Sequence, residues 1–293
     1  MTDIHFLLTY TCNFECDHCF LYCGPKSEGT FTIKQIKEVL NEAAKIGTQV
    51  IYFEGGEPFL YYPVMVEGLK IAHKMGFKTG IVTNCYWATS IEDAELWLEP
   101  IAKTGISILS VSDDSYHFGT ESVFSEKKNP AERAIIAARN LGIQDLPLCI
   151  KEPTPEEVIN KEQDIMFKGR AAEKLIDGMP KRHWEDLTKC PYENLKNPTR
   201  VHVDSFGNVH ICQGLSIGNM WETPLAELIK NYDVEKHPIC GHLFQGGPAQ
   251  LAKVYNMEHE DKYVDECHFC YLMRLALIDK FSKYLTPRQV YGL

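Results

Sequence analysis

Over residues 1–150 the chain alternates short apolar runs with longer amphipathic ones, and this alternation restricts the folds open to it more than any other feature. Ile4–Leu8, Gln49–Phe53, Lys78–Thr83, Ile106–Val111 and Pro147–Ile150 are too short for buried helices and read as buried strands. Between them the period changes. In "TIKQIKEVLNEAAKIG", starting at Thr32, residues Ile33, Ile36, Val39, Leu40 and Ala43 fall on one helical face. Thr32 and Gln35 form a capping-box pair at its start, and Gly47 stops it. Val64–His73, Ile91–Ala102 and Ala131–Leu141 repeat the helical pattern. Repeated strand-helix units imply a parallel sheet. Five of them, with Asp164–Phe167 as a candidate sixth strand, predict an α/β fold whose residues 1–175 form a partial (β/α)6 TIM-like barrel.

Beyond this the character changes. Pro, Asn and Cys become frequent, and "RVHVDSFGNVHIC" reads as a hairpin turning at Ser205-Phe206-Gly207-Asn208. The expected organisation is a barrel over 1–175, a linker over 176–189 and a small cysteine-rich α+β domain over 190–293.

Charge narrows the partners. With 30 basic and 40 acidic residues, a net charge of -10, the chain lacks the cationic excess that nucleic acid or anionic membrane demands. No run of about 18 apolar residues is present to span a bilayer. The start, "MTDIHFLLTYTC", has no basic n-region and too short an apolar stretch for a secretory signal, so a cytoplasmic location is expected. In a reducing compartment eleven cysteines, an odd number, are poor candidates for a disulfide framework, and metal is the better explanation.

In barrels of this kind the working residues follow the C-terminal ends of the strands. After the first strand come Cys12, Cys16 and Cys19; after the second, Gly55, Gly56, Glu57 and Pro58; after the third, Asn84 and Cys85; after the fourth, Ser112, Asp114 and His117. Three thiolates at this spacing would leave one iron of a 4Fe-4S cube open for another ligand. Zinc, with His18 as a fourth ligand, is the other reading of these three thiols alone.

The "CNFECDHCF" stretch, Cys12–Phe20, is a CxxxCxxC loop after a first strand and resembles the signature of the radical S-adenosylmethionine (SAM) enzymes, including the aromatic His18 beside Cys19. "GGEP", Gly55–Pro58, resembles that family's second-strand motif, and Ser112 with Asp114 in "SDDSYH" resembles its fourth-strand motif. The resemblance covers roughly residues 4–175. It implies that Cys12, Cys16 and Cys19 hold a 4Fe-4S cluster whose open iron takes SAM. It implies too that Gly55–Pro58 meet the methionine amino group, with Ser112 and Asp114 near the ribose or substrate. His18, Phe20 and Asn84 join the expected cofactor site, and Asp114 and His117 are candidates for moving protons beside the substrate.

The C-terminal half carries Cys190, Cys212, Cys240, Cys267 and Cys270, the last two in "CHFC". The Gly207-to-Cys212 hairpin between Cys190 and "SIGNM" resembles the entrance of the SPASM and twitch extensions, which hold auxiliary clusters. Cys190, Cys212, Cys267 and Cys270 are the expected ligands of one auxiliary 4Fe-4S cluster, as in a twitch domain, and Cys240 can take the place of one of them. Of the remaining thiols, Cys149 reads as a small buried hydrophobe, and Cys23 and Cys85 as structural. Tyr86 and Trp87 read as pocket walls or, as aromatic residues at a strand end more often are, as packing, and Arg170 in "FKGRAA" is a candidate for SAM or substrate, or for a surface ion pair.

The expected function is reductive cleavage of SAM to a 5'-deoxyadenosyl radical that takes hydrogen from substrate, with the auxiliary cluster accepting an electron or positioning the substrate. No cobalamin domain is recognisable. A reduced partner such as flavodoxin or ferredoxin would supply the electron. Because the sequence starts almost at its first strand, a small molecule such as a sugar or cyclitol is favoured over a peptide. Peptide modification is the alternative, and a non-catalytic iron-sulfur or zinc protein is the alternative of another class.

Overall fold

A computed structural model describes residues 1–119 and 128–293. The chain divides into two compact units: the first comprises Met1–Phe14, Cys23–Lys151 and Val203–Phe206, the second Glu15–Tyr22, Glu152–His202 and Gly207–Leu293.

The first unit is built from β1 (Asp3–Thr9), α1 (Ile33–Lys45), β2 (Val50–Gly55), α2 (Tyr62–Lys74), β3 (Lys78–Thr83), α3 (Ile91–Ala102), β4 (Ile108–Ser112), the single-turn α4 (Ser115–Phe118), α5 (Pro130–Asn140) and β5 (Asp145–Leu148). The strands order as β5-β4-β3-β2-β1, and all four pairings are parallel. Their C-terminal ends therefore share one edge, which brings the four motif-bearing loops to one side of the unit. Helix α1 forms as its sequence predicts. The Thr32 side chain accepts from the Gln35 N–H, the Gln35 side chain accepts from the Thr32 N–H, and Ile36, Val39, Leu40 and Ala43 are buried. The core beneath it includes Phe6 stacked on Phe53, with ring centroids 5.0 Å apart.

Two expectations fail at the margin of this pattern. β5 starts two residues earlier than the apolar run, leaving Cys149 past its end and exposed rather than buried. As the last strand in the order, β5 has one neighbour, so it tolerates Asp145 and Pro147, which a central strand would not. Asp164–Phe167 forms no strand, so the parallel run has five members among the described residues. Ile165 and Phe167 are nevertheless buried, which accounts for the apolar signal without a ladder.

The second unit contains α6 (Pro155–Asn160), α7 (Ala171–Lys174), β6 (Arg182–His183), the start of β7 (Arg200–Asp204), β8 (Asn208–Cys212), β9 (Leu215–Asn219), α8 (Leu225–Asn231), α9 (Cys240–Tyr255), β10 (Lys262–Tyr263) and α10 (Glu266–Ala276). β8 pairs antiparallel with β9, and β6 with β10. Gly207, at φ +90°, takes the left-handed conformation that the predicted turn before β8 requires. Among the described residues no helix is long and apolar enough to cross a membrane.

Candidate functional site

In the first unit the loop after β1 and the loop after β2 are laid against each other through backbone. The Gly56 N–H donates to the Thr9 carbonyl at 2.7 Å and the Glu57 N–H to the Thr11 carbonyl at 3.0 Å. A Cβ on Gly55 would stand 2.3 Å from the Thr9 oxygen, and one on Gly56 would stand 2.2 Å from the Thr11 oxygen. Both glycines are thus required by the protein's own chain, whose next residue is Cys12. Gly55 adds a backbone φ of +129° that side-chain-bearing residues rarely adopt.

Glu57 is fully buried and faces inward. Its carboxylate accepts from the Phe59 N–H at 3.0 Å, the Thr83 hydroxyl at 2.8 Å and the Asn84 N–H at 2.7 Å, tying the end of β2 to the end of β3. Burial pushes this carboxyl up to about 7, against the pull of those three donors. Pro58 begins the short turn that follows, with Glu57 as its cap. The Thr83 hydroxyl also accepts from the Trp87 indole N–H at 3.0 Å, and the Trp87 ring stacks on Phe59 at 4.3 Å. Trp87 is therefore core packing rather than a pocket wall, while Tyr86 stays half-buried.

The Cys12 sulfur accepts from the Phe14 N–H at 3.4 Å and lies 3.7 Å from the Asn84 amide nitrogen, which also donates to Asn13 at 2.9 Å. Hydrogen bonds to sulfur of this kind stabilise a ligating thiolate, so the surroundings of Cys12 fit a cluster ligand. After β4, Asp114 caps α4 by accepting from the His117 N–H, and its carboxylate meets the His117 Nδ1 at 2.7 Å. The Phe14 and His117 rings are 6.0 Å apart, so the first and fourth strand-end loops adjoin. Ser112, the last residue of β4, is half-buried.

In the second unit Cys16, His18, Cys19 and Phe20 are all half-buried. The Cys19 N–H donates to the Cys16 carbonyl, closing a turn. The Lys168-Gly169-Arg170 segment grips that turn. The Arg170 guanidinium donates to the Cys16 carbonyl at 2.7 Å and its N–H to the Cys19 carbonyl at 3.0 Å. Gly169, at φ +61°, approaches so closely that a Cβ would lie 2.5 Å from the Cys19 oxygen. Arg170 is 7% exposed and packs over the Tyr22 ring, so it acts on the cysteine loop.

The same unit carries Cys190, Cys212, Cys240, Cys267 and Cys270. They influence one another electrostatically: Cys212 acts on the other four, and Cys190 acts on Cys270. Burial, the largest cause in each case, pushes Cys240 and Cys270 up to about 12 and Cys267 well above the usual thiol range. Such thiols become thiolates only beside positive charge. Two buried cations stand there, neither of which the sequence reading had singled out. The Lys168 ammonium donates to the Gln213 side-chain oxygen at 2.7 Å and to the Cys212 sulfur at 3.4 Å. Arg274 is one helical turn beyond Cys270 and donates to the Gln213 carbonyl at 3.0 Å. Cys240 is completely buried, and its thiol bonds with the Tyr232 side chain.

The family model described as the radical SAM superfamily matches residues 6–163. YydG of Bacillus subtilis (strain 168), whose name assigns it provisionally to peptide biosynthesis, is 32% identical over 251 residues, covering 85% of this chain and 72% of that protein. The PqqA peptide cyclase of Bradyrhizobium diazoefficiens (strain USDA 110) is 25% identical over 163 residues, covering 54% of this chain and 40% of that one. The solved structure of native anSMEcpe with bound AdoMet aligns with a TM-score of 0.53 at 14% identity, over 100% of this chain and 99% of that one, and shares the fold. The matched span runs from β1 past β5 and takes in the three-cysteine loop and every strand-end loop described above, so the chain belongs to the radical SAM superfamily.

Proposed function

We propose that this radical SAM enzyme modifies a peptide. The carrying observation is the likeness to YydG, which runs over 85% of the chain and so extends well beyond the family match into the cysteine-bearing C-terminal half. The PqqA peptide cyclase adds support from a second relative named for a peptide substrate. These relatives favour peptide modification over the sugar or cyclitol dehydrogenation expected from the sequence alone.

Membership of the superfamily implies SAM and a 4Fe-4S cluster, for which Cys12, Cys16 and Cys19 are the proposed ligands. When bound, these groups supply a 5'-deoxyadenosyl radical able to take hydrogen from an unactivated carbon. The chain's own residues do the positioning. Glu57 and the two glycines fix the backbone leading to Cys12, Arg170 and Gly169 fix the Cys16–Cys19 turn, and Asn84 lies beside the Cys12 sulfur. Gly55–Pro58, His18, Phe20, Ser112 and Asp114 are the proposed SAM contacts, and the Asp114–His117 pair can hold or pass a proton beside the substrate. Cys190, Cys212, Cys267 and Cys270 are the proposed ligands of one auxiliary 4Fe-4S cluster, with a cytoplasmic flavodoxin or ferredoxin as electron source.

Anaerobic protein should carry two 4Fe-4S clusters and release 5'-deoxyadenosine from SAM on reduction. Replacing Cys12, Cys16 and Cys19 by Ala should abolish that release and leave one cluster. With peptides deuterated at carbon, label should reach 5'-deoxyadenosine. Transfer from deuterated sugars or cyclitols, and from no peptide, would return the assignment to small molecules.

A further inference from the structure

Lys168 is 2% exposed and Arg274 is 1% exposed, an unusual depth for two cations in one small unit. Among the described residues neither makes an ion pair with a carboxylate, and Glu193 acts on Lys168 only at longer range. Both instead converge on residues 212–214. The Lys168 ammonium meets the Cys212 sulfur and the Gln213 side chain, and the Arg274 guanidinium meets the Gln213 carbonyl. The Arg274 Nε is buried and has no hydrogen-bond partner, so part of a fully buried guanidinium is still without an acceptor. The Tyr291 ring lies 5.7 Å from its centre, and the Tyr291 hydroxyl donates to the Gly214 carbonyl at 2.7 Å, holding this side of the loop closed. The Lys168 ammonium also sits 5.4 Å from the centre of the Phe20 ring.

Burial at this depth works against both charges. Cations this deep call for a negative partner. A four-iron cluster held by four thiolates is a net anion in both redox states, and more so when reduced.

We propose that Lys168 and Arg274 are the built-in counter-charges of the auxiliary cluster, with Lys168 donating to the Cys212 sulfur, and that they set its reduction potential upward. This rests on the reading that Cys190, Cys212, Cys267 and Cys270 hold that cluster. Cations beside it stabilise the added electron, so the site is tuned to accept charge. An electron-accepting role follows for the cluster; a purely structural cluster would need no such bias.

The test uses full-length protein in which Cys12, Cys16 and Cys19 are replaced by Ala, so that the auxiliary cluster alone gives a signal. Iron and sulfide per chain are measured first, with Lys168 intact. Finding neither would overturn the auxiliary-cluster reading itself. With the cluster present, Lys168→Met should lower its midpoint in an EPR-monitored titration by at least tenfold in the redox equilibrium, about 59 mV for one electron. Lys168→Arg should return most of that shift, and Arg274→Lys should move the midpoint less than Lys168→Met does. An unchanged midpoint in Lys168→Met with full iron would overturn the proposal. If Lys168→Met loses its iron, retention of iron and a native-like midpoint in Lys168→Arg supports a charge role; loss in both variants refutes it.

Discussion

Glu57 shows how a motif residue can act on its own chain. Its carboxylate accepts from three donors, the Phe59 N–H, the Thr83 hydroxyl and the Asn84 N–H, and so fixes the turn after β2 against the end of β3. Glu57→Gln keeps the shape but turns an amide N–H toward the Asn84 N–H, and we expect a loss of about 1–3 kcal/mol in unfolding free energy. pH gives an independent check. The folded-state carboxyl sits at about 7, above its unfolded value, so burial costs nothing where both states are protonated and most where both are ionised. Stability from this group is thus greatest at low pH and falls as pH rises toward and through 7. Relative to Glu57→Gln, the native chain should lose about 1 kcal/mol between pH 6 and pH 8 in urea titrations. A flat difference would show that Glu57 stays ionised throughout. At the neighbouring position, Gly56→Ala should cost about 1–3 kcal/mol by forcing a Cβ against the Thr11 carbonyl. It should also reduce the iron retained at the three-cysteine loop, as measured by iron per chain.

The helices of the first unit were legible because their signals are local. Thr32 with Gln35 caps α1 as the pattern predicts, and Asn129 with Glu132 caps α5 by the same device. Thr32→Ala should cost about 1 kcal/mol by chemical denaturation. Gln35→Ala should cost more than a box residue usually does, since the Gln35 amide also donates to the Ser205 carbonyl at 3.1 Å. Strands were less legible at the margin. A buried apolar run looks the same whether or not it has a ladder partner. Asp164–Phe167 was for that reason read as a strand, while Asp145–Leu148, a true edge strand, was displaced by the more apolar residues after it. Cys149 was misplaced for the same reason, because burial depends on neighbours distant in sequence.

Across the whole molecule, the two buried cations beside the C-terminal cysteines tie the proposed metal to the fold. The second unit carries five cysteines and two deeply buried cations, and removing iron would leave Lys168 and Arg274 without the negative charge of the proposed cluster. Anaerobic chelation should therefore lower the melting temperature, and reconstitution with iron and sulfide should restore it. In the variant lacking Cys12, Cys16 and Cys19 the same treatment should still lower it, which calorimetry can test. The net charge of -10 places no demand on this fold.

The amino-acid sequence alone determined the alternating strand-helix order, the three-cysteine loop and the four motif-bearing strand ends, because periodicity, caps and ligand spacing act over a few residues. Only the tertiary structure decided that Gly55 and Gly56 serve a close approach of the chain to itself, that Arg170 grips the cysteine turn, and that Lys168 and Arg274 meet at Cys212–Gly214. Those facts depend on which distant segments pack together: a lysine between Phe167 and Gly169 looks like any surface lysine until the fold removes it from water and sets it against a sulfur.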